Sequence, residues 1–378
     1  MFISLKHLTN LTVLTTFTFV FCEYLIYYSI FLKCSWPKLE KTSTPDDQQL
    51  KALFFSDPHL LGSREGNWFD KLRREWQMER SFQTANTIFQ PEAIFVLGDL
   101  LDEGKWASDQ EFHDSVGRFK WMFRHSEDAQ LHVVVGNHDI GFHYGINSHL
   151  LDRFEKAFDV PSVKVVTIKN ISFVLVNSMS MHGDQCFMCK KAQEELHEIS
   201  QRLNCSRDSH FYNNHHATCD LYTRIAHSAP ILLQHFPMFR DSDAMCEGED
   251  AAPPQEKVIR HREKWEVLSK ASSQQLFRLI RPRFILSGHI HHGCYIEHDD
   301  GTPEITVPSF SWRNRNNPSF VLVTISADEI SFNKCFVPKE NTVITIYLIS
   351  GVTMVIWTIF LKLRRKNRRV VFPHQAID

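Results

Sequence analysis

What this sequence lacks narrows it first. Charge of neither sign is in excess, 42 Lys and Arg standing against 44 Asp and Glu for a net charge of -2, so there is no reason to expect a nucleic-acid partner. No internal repeat or low-complexity tract is visible, which excludes a repeat array. No small-residue cleavage site of the A-x-A kind follows the apolar N-terminal run, so that run reads as a retained signal anchor and not as a removed signal peptide. Cys186-x-x-Cys189 has no second cysteine pair at zinc-site spacing, and disulfide or free thiol is its reading. The tail His374-Gln375-Ala376-Ile377-Asp378 lacks the lysines of a dilysine retrieval signal.

Two apolar segments are conspicuous by contrast. Residues 11–32 are long enough to cross a bilayer, which takes roughly 20 apolar residues, although Glu23 interrupts them. Residues 342–361 carry no charge before Lys362, Arg364, Arg365, Lys366, Arg368 and Arg369. Basic residues flanking a span stay in the cytosol. The short N-terminus (1–10) and the basic tail (362–378) are therefore expected on the cytosolic side, with residues 33–341 forming one lumenal domain. Eight cysteines and the sequons at Asn170 and Asn204 fall between the spans, which agrees with an oxidising compartment. Which cysteines pair is not legible in sequence.

Between the spans, short apolar strands alternate with helical periodicity. Leu50 to Phe55, Ala93 to Leu97, Leu131 to Val135, Ile171 to Asn177, Pro230 to Gln234 and Arg283 to Leu286 read as buried strands. Helices are expected from Trp68 to Phe89, around Phe112 to Phe123, around Leu150 to Phe158, around Ala192 to Leu203, and around Trp265, Leu268, Leu276 and Leu279. The alternation predicts an α/β layered fold with parallel pairing. Glu304 to Val307 and Phe320 to Ser326 are expected to finish the second sheet, and 204–228 and 241–254 to be long surface loops.

Chemistry-bearing residues stand where these strands end: Asp57 and His59; Asp99, with Asp102 behind it; Asn137, His138 and Asp139; His235; His289 and His291. The C-terminal ends of neighbouring strands in an open α/β sheet converge on one crevice. Carboxylate, amide and imidazole donors without thiolates suit Mn, Fe or Zn. Each fragment alone is a weak signal; their order, each after a strand, points to metal.

In that order (Asp-x-His, Gly-Asp-x-x-Asp, Gly-Asn-His-Asp, isolated His, Gly-His-x-His) the motifs resemble the calcineurin-like metallophosphoesterase superfamily. The resemblance implies a four-layer α/β-β/α sandwich with a dinuclear metal site, here flanked by two transmembrane helices. Carried over by motif, one metal would take Asp57, His59, Asp99 and His291 and the other Asp99, Asn137, His235 and His289, each oxygen of Asp99 serving one cation. His138 would protonate the leaving group, oriented by Asp139, and Asp102 would support the ligands from behind. The stretches from Glu65 to Met78 and from Val307 to Phe320 are similar to a membrane-bound subgroup that removes ethanolamine phosphate from the second mannose of GPI anchors. That similarity implies Mn2+, a GPI glycan or GPI-anchored protein as substrate, cargo-sorting machinery as a partner, and residence in ER exit sites, the ER-Golgi intermediate compartment and the Golgi. Arg313, Arg315 and His292 are candidate substrate contacts, with an exposed turn the alternative for the two arginines. The acidic residues Glu247, Glu249 and Asp250 either receive an ammonium or face water. Rival readings are a lumenal hydrolase of another phosphodiester or pyrophosphate, and a non-catalytic interaction protein on the same fold.

Overall fold

The computed structural model describes residues 5–40, 45–211 and 228–370. The apolar runs become two sheets. The first contains β1 (Leu50–Phe55), β2 (Ala93–Leu97) and β3 (Gln130–Val134), and the second begins with β4 (Val163–Ile168), β5 (Ile171–Val176), β6 (Ile231–Gln234) and β7 (Phe284–Ser287). The remaining strands are β8 (Cys294–Glu297), β9 (Pro303–Thr306), β10 (Ser319–Ile325) and β11 (Ile330–Phe336). Their spatial orders are β11-β10-β1-β2-β3 and β4-β5-β6-β7-β9-β8. Pairing is parallel from β1 through β3 and from β5 through β7 to β9, and antiparallel at the edges. The expectation that β10 completes the second sheet is corrected: it lies antiparallel beside β1 in the first.

Alternation along a strand explains why both faces are buried. Leu53 and Phe55 point to the helices, while Ala52 and Phe54 point to the other sheet. Phe95 bridges the sheets, its ring 4.8 Å from Phe54 and 4.6 Å from Phe173. Helices Trp68–Phe89, Asp109–Met122, Ser148–Phe158, Phe187–Phe211 and Lys270–Ile280 supply the outer layers. The last of these starts only after Ser269, which caps it by accepting from the Ser272 N–H, so Trp265 and Leu268 lie in a loop and not on the expected helix. The expected loop at 204–228 is helical as far as Phe211, and its residues 212–227 lie outside the described residues.

Two helices are long and apolar enough to cross a membrane, Leu5–Phe31 and Glu340–Arg364. They touch through Thr18 and Ser350, whose hydroxyls are 2.7 Å apart, and the carboxylate of Glu23 accepts from the Tyr347 hydroxyl. Part of the basic tail continues the second helix to Val370; residues 371–378 lie outside the described residues. Disulfide Cys34–Cys335 joins the chain just beyond the first helix to β11, shortly before the second. Cys186–Cys189 and Cys246–Cys294 are also bonded.

Candidate metal centre

The strand ends deliver their side chains through unusual backbone. Asp57, His59, Asp99, His289 and His291 have φ of 51°, 48°, 49°, 72° and 64°, a left-handed conformation uncommon outside glycine. It costs on the order of 1–3 kcal/mol per residue and turns each chain end sharply, so consecutive side chains converge instead of alternating. Gly136 permits a close approach of two strand ends. A Cβ there would lie 2.2 Å from the Asp99 amide nitrogen and from its Oδ1.

Two half-sites result. In the first, Asp57 Oδ1 stands 3.7 Å from His59 Nε2 and 3.6 Å from His291 Nε2, and the two imidazole nitrogens are 3.1 Å apart. In the second, His235 Nε2 is 3.1 Å from Asn137 Oδ1, and Asp99, His235 and His289 bring ligand atoms within 4.8 Å of one another. Asp99 belongs to both, because its Oδ2 is 3.6 Å from His59 Nε2 and 3.3 Å from His235 Nε2. Its Oδ1 accepts from the His138 N–H at 2.7 Å. The expectation of one Asp99 oxygen per cation is thereby corrected: Oδ2 alone faces both half-sites.

These donors fit two divalent cations. Asp57 Oδ1 is buried without a hydrogen-bond partner, an arrangement that desolvation penalises unless a cation answers it. The imidazoles are held for ligation from behind: His59 Nδ1 by Asp102 Oδ1 at 2.9 Å, His235 Nδ1 by the Leu97 carbonyl at 2.7 Å, and His289 Nε2 by the Trp265 carbonyl at 2.6 Å. Such partners fix the tautomer and present the opposite nitrogen. For His289 that nitrogen is Nδ1.

The electrostatics tell the same story. Burial works to raise the carboxyls of Asp57 and Asp99, but neighbouring imidazoles outweigh it and hold both below the usual carboxylate range. Burial also works to lower His59 and His235, yet hydrogen bonds and charge from Asp102, Asp57 and Asp99 lift them to about 10 and about 9. His289, buried beside the positive His235, falls to about 3. Buried carboxylates are drawing positive charge into the site, the demand a divalent cation meets.

Asp139 does not touch His138 as expected. It occupies the third position of the short helix Asn137–Ile140 and turns back, accepting from the Gly136 and Leu101 N–H groups at 2.8 Å each. Burial, with the Asp99 charge, pushes its carboxyl up to about 7. His138 instead donates from Nδ1 to the Asp102 carbonyl at 2.9 Å, with Asp102 Oδ1 at 3.2 Å. Asp102 therefore supports both His59 and His138.

Arg313 meets Asp102 and Glu65, not open solvent. Arg315 donates to the His291 carbonyl and to Asn317 Oδ1, so it buttresses a ligand from outside the half-sites. His292 is half-buried near it, held low by burial and then by the Arg315 charge. The acidic loop is also committed: Asp250 is buried against Lys334 and Glu249 pairs with Lys339. Sequence reasoning missed Asn314, whose Nδ2 lies 3.5 Å from His291 Nε2, and the Trp265 carbonyl, a backbone group without a side-chain signature.

The family model for calcineurin-like phosphoesterases matches residues 50–293. Metallophosphoesterase 1 of Danio rerio is 51% identical over 350 residues, which span 92% of this chain and 91% of that protein. Metallophosphoesterase 1 of Rattus norvegicus is 50% identical over 342 residues, 90% of this chain and 86% of its own. Among solved structures, a dimetal phosphatase from Danio rerio aligns with 77% of this chain and 99% of its own at 11% identity and a TM-score of 0.43.

Proposed function

We propose, from the premise that the chain belongs to the calcineurin-like phosphoesterase family, that this metal-dependent phosphoesterase acts on a membrane-held phosphodiester, the ethanolamine-phosphate branch on the second mannose of a GPI anchor. The observation that carries the reading is the segment from Ser311 to Asn317, which joins the candidate metal centre to the apolar C-terminal helix. Arg315 donates to the carbonyl of His291. The next residue faces the helix: the carbonyl and side-chain oxygens of Asn316 accept from the N–H groups of Glu340 and Asn341 at 3.0 and 2.9 Å. The site is thus a few residues from a helix long and apolar enough to cross a membrane. Domain 33–341 lies on the lumenal side in this reading, in the early secretory pathway, with GPI-anchored proteins as substrates and cargo-sorting machinery as a partner.

Asp57, His59, Asp99 and His291 would hold one cation and Asp99, Asn137, His235 and His289 the other. Two divalent ions, Mn2+ by resemblance, supply Lewis acidity and neutralise the ester's negative charge when bound. The chain's own groups do the rest. His138 gives the departing alkoxide its proton from Nε2, a general-acid step. The Asp102 carbonyl holds Nδ1 and aims the ring. Asp139 pins the Gly136 and Leu101 amides so that the tetrapeptide keeps its shape.

Mass analysis of GPI glycans from cells with and without the protein tests the substrate. Loss of the protein is expected to leave anchors with an additional ethanolamine phosphate. Unchanged anchors would remove the GPI assignment and leave the phosphoesterase standing.

A further inference from the structure

Outside the centre just described, His143, Asp184, Cys186 and Cys189 bring one ligand atom each to within 4.8 Å of the others. We propose that these four side chains form a separate binding site for one Zn2+, open only when the Cys186–Cys189 disulfide is reduced. The C-x2-C spacing is that of zinc loops, and the second pair that the sequence lacks is supplied by His143 from across the fold and by Asp184, two residues before Cys186. Two thiolates, an imidazole and a carboxylate suit a four-coordinate Zn2+.

Each ligand is already positioned. His143 is buried, and its Nδ1 donates to the Met179 carbonyl at 2.9 Å, which leaves Nε2 as the liganding nitrogen. Its ring lies parallel to that of His182 with centroids 3.8 Å apart, so it is held in plane. Nε2 is 2.7 Å from Asp184 Oδ2, and Asp184 Oδ1 is 3.4 Å from Cys189 Sγ. Cys186 stands directly before the 25-residue helix Phe187–Phe211 and accepts from the Cys189 N–H on its sulfur at 3.0 Å. A helix start favours the thiolate form. The comparable group Asp243, Cys246 and Cys294 offers three residues only, and its aspartate is already committed to Arg240 and His261.

The structure holds the oxidised form. A dithiol reductant would pass two electrons and two protons to the disulfide, breaking its S–S bond and closing its own; Zn2+ then displaces both thiol protons to solvent. The site adjoins the phosphoesterase centre through Phe142, whose ring packs 4.7 Å from that of Trp265, the residue that holds His289.

Full-length protein in detergent, incubated with ZnCl2 and desalted, is to be assayed for zinc by mass spectrometry before and after reduction with a thiol-free phosphine. Reduction should add one zinc per chain. The gain should vanish in Cys186→Ser/Cys189→Ser and persist in Cys246→Ser/Cys294→Ser. His143→Gln and Asp184→Asn leave the cysteines intact and should weaken uptake by roughly tenfold or more, which keeps the test sound if the cysteine variant misfolds. Cobalt in place of zinc should give a thiolate charge-transfer band in the reduced protein alone. No added zinc on reduction, or equal uptake by the Cys186→Ser/Cys189→Ser protein, overturns the proposal.

Discussion

Arg313 places its Nη2 2.8 Å from Asp102 Oδ2, and the other oxygen of that carboxylate lies 2.9 Å from His59 Nδ1. A guanidinium at the rim is therefore one residue removed from a candidate metal ligand. Arg313→Ala leaves a buried carboxylate with less positive charge around it, which frees Asp102 to pull on His59. The expected result is metal affinity lower by about 10- to 100-fold, read by Mn2+ titration of phosphoesterase activity. Arg313→Lys should recover part of it. A raised KM with unchanged metal affinity would return Arg313 to the role of substrate contact.

His138→Ala separates proton donation from metal binding. Its Nδ1 is committed to Asp102 and its backbone N–H donates to Asp99, so metal content should survive. Turnover should fall by roughly two to four orders of magnitude. Near-normal turnover on a substrate with a poor leaving group would show that another group donates.

Asp99→Asn should act differently, because Oδ2 faces both half-sites. Loss of its charge is expected to lower occupancy of both cations together, visible as a drop in metal per chain. Loss of one cation alone would argue against a shared oxygen.

The sequence announced this centre well because each ligand follows an apolar strand long enough to recognise. It announced neighbours less well. Asp139 adjoins His138 in sequence, yet its place on the first helical turn directs it back to Gly136, while Asp102 arrives from another strand end. The strands that escaped notice are edge or short ones: β4 exposes Thr167 and half-buries Lys164, and most residues of β11 are only half-buried. Their apolar pattern is diluted by solvent on one side. The placement of β10 was hidden for the opposite reason. Every residue in it is buried, so nothing in its composition says which sheet it joins.

Acid stability should report a pair away from the metal. Burial works to raise the Asp243 carboxyl, but His261 and Arg240 outweigh it and bring it to about 2. A carboxylate held below its ordinary value of about 3.9 stabilises the fold above that pH, and the contribution disappears as pH falls toward 2. Thermal unfolding of the wild type should thus lose on the order of 1–3 kcal/mol across this window relative to Asp243→Asn. Parallel curves for the two proteins would contradict the assignment.

Trp312 anchors the link to the C-terminal helix. It is buried, donates from Nε1 to the Pro338 carbonyl at 2.9 Å, and carries Arg73 5.3 Å above its ring. Trp312→Ala should cost about 3–5 kcal/mol, and Trp312→Phe nearer the 1 kcal/mol or so of one hydrogen bond. Denaturant melts of the full chain would separate them.

The bond between Cys34 and Cys335 closes a covalent ring over a separation of 301 residues. Between the two apolar helices that sulfur bridge is the shortest covalent path, far shorter than the chain that carries the ligands. A protease that cuts one loop of the domain releases neither piece, since both stay tethered at the same point. The bridge therefore holds the two ends of the domain together beside the apolar helices, whatever happens to the loops between them.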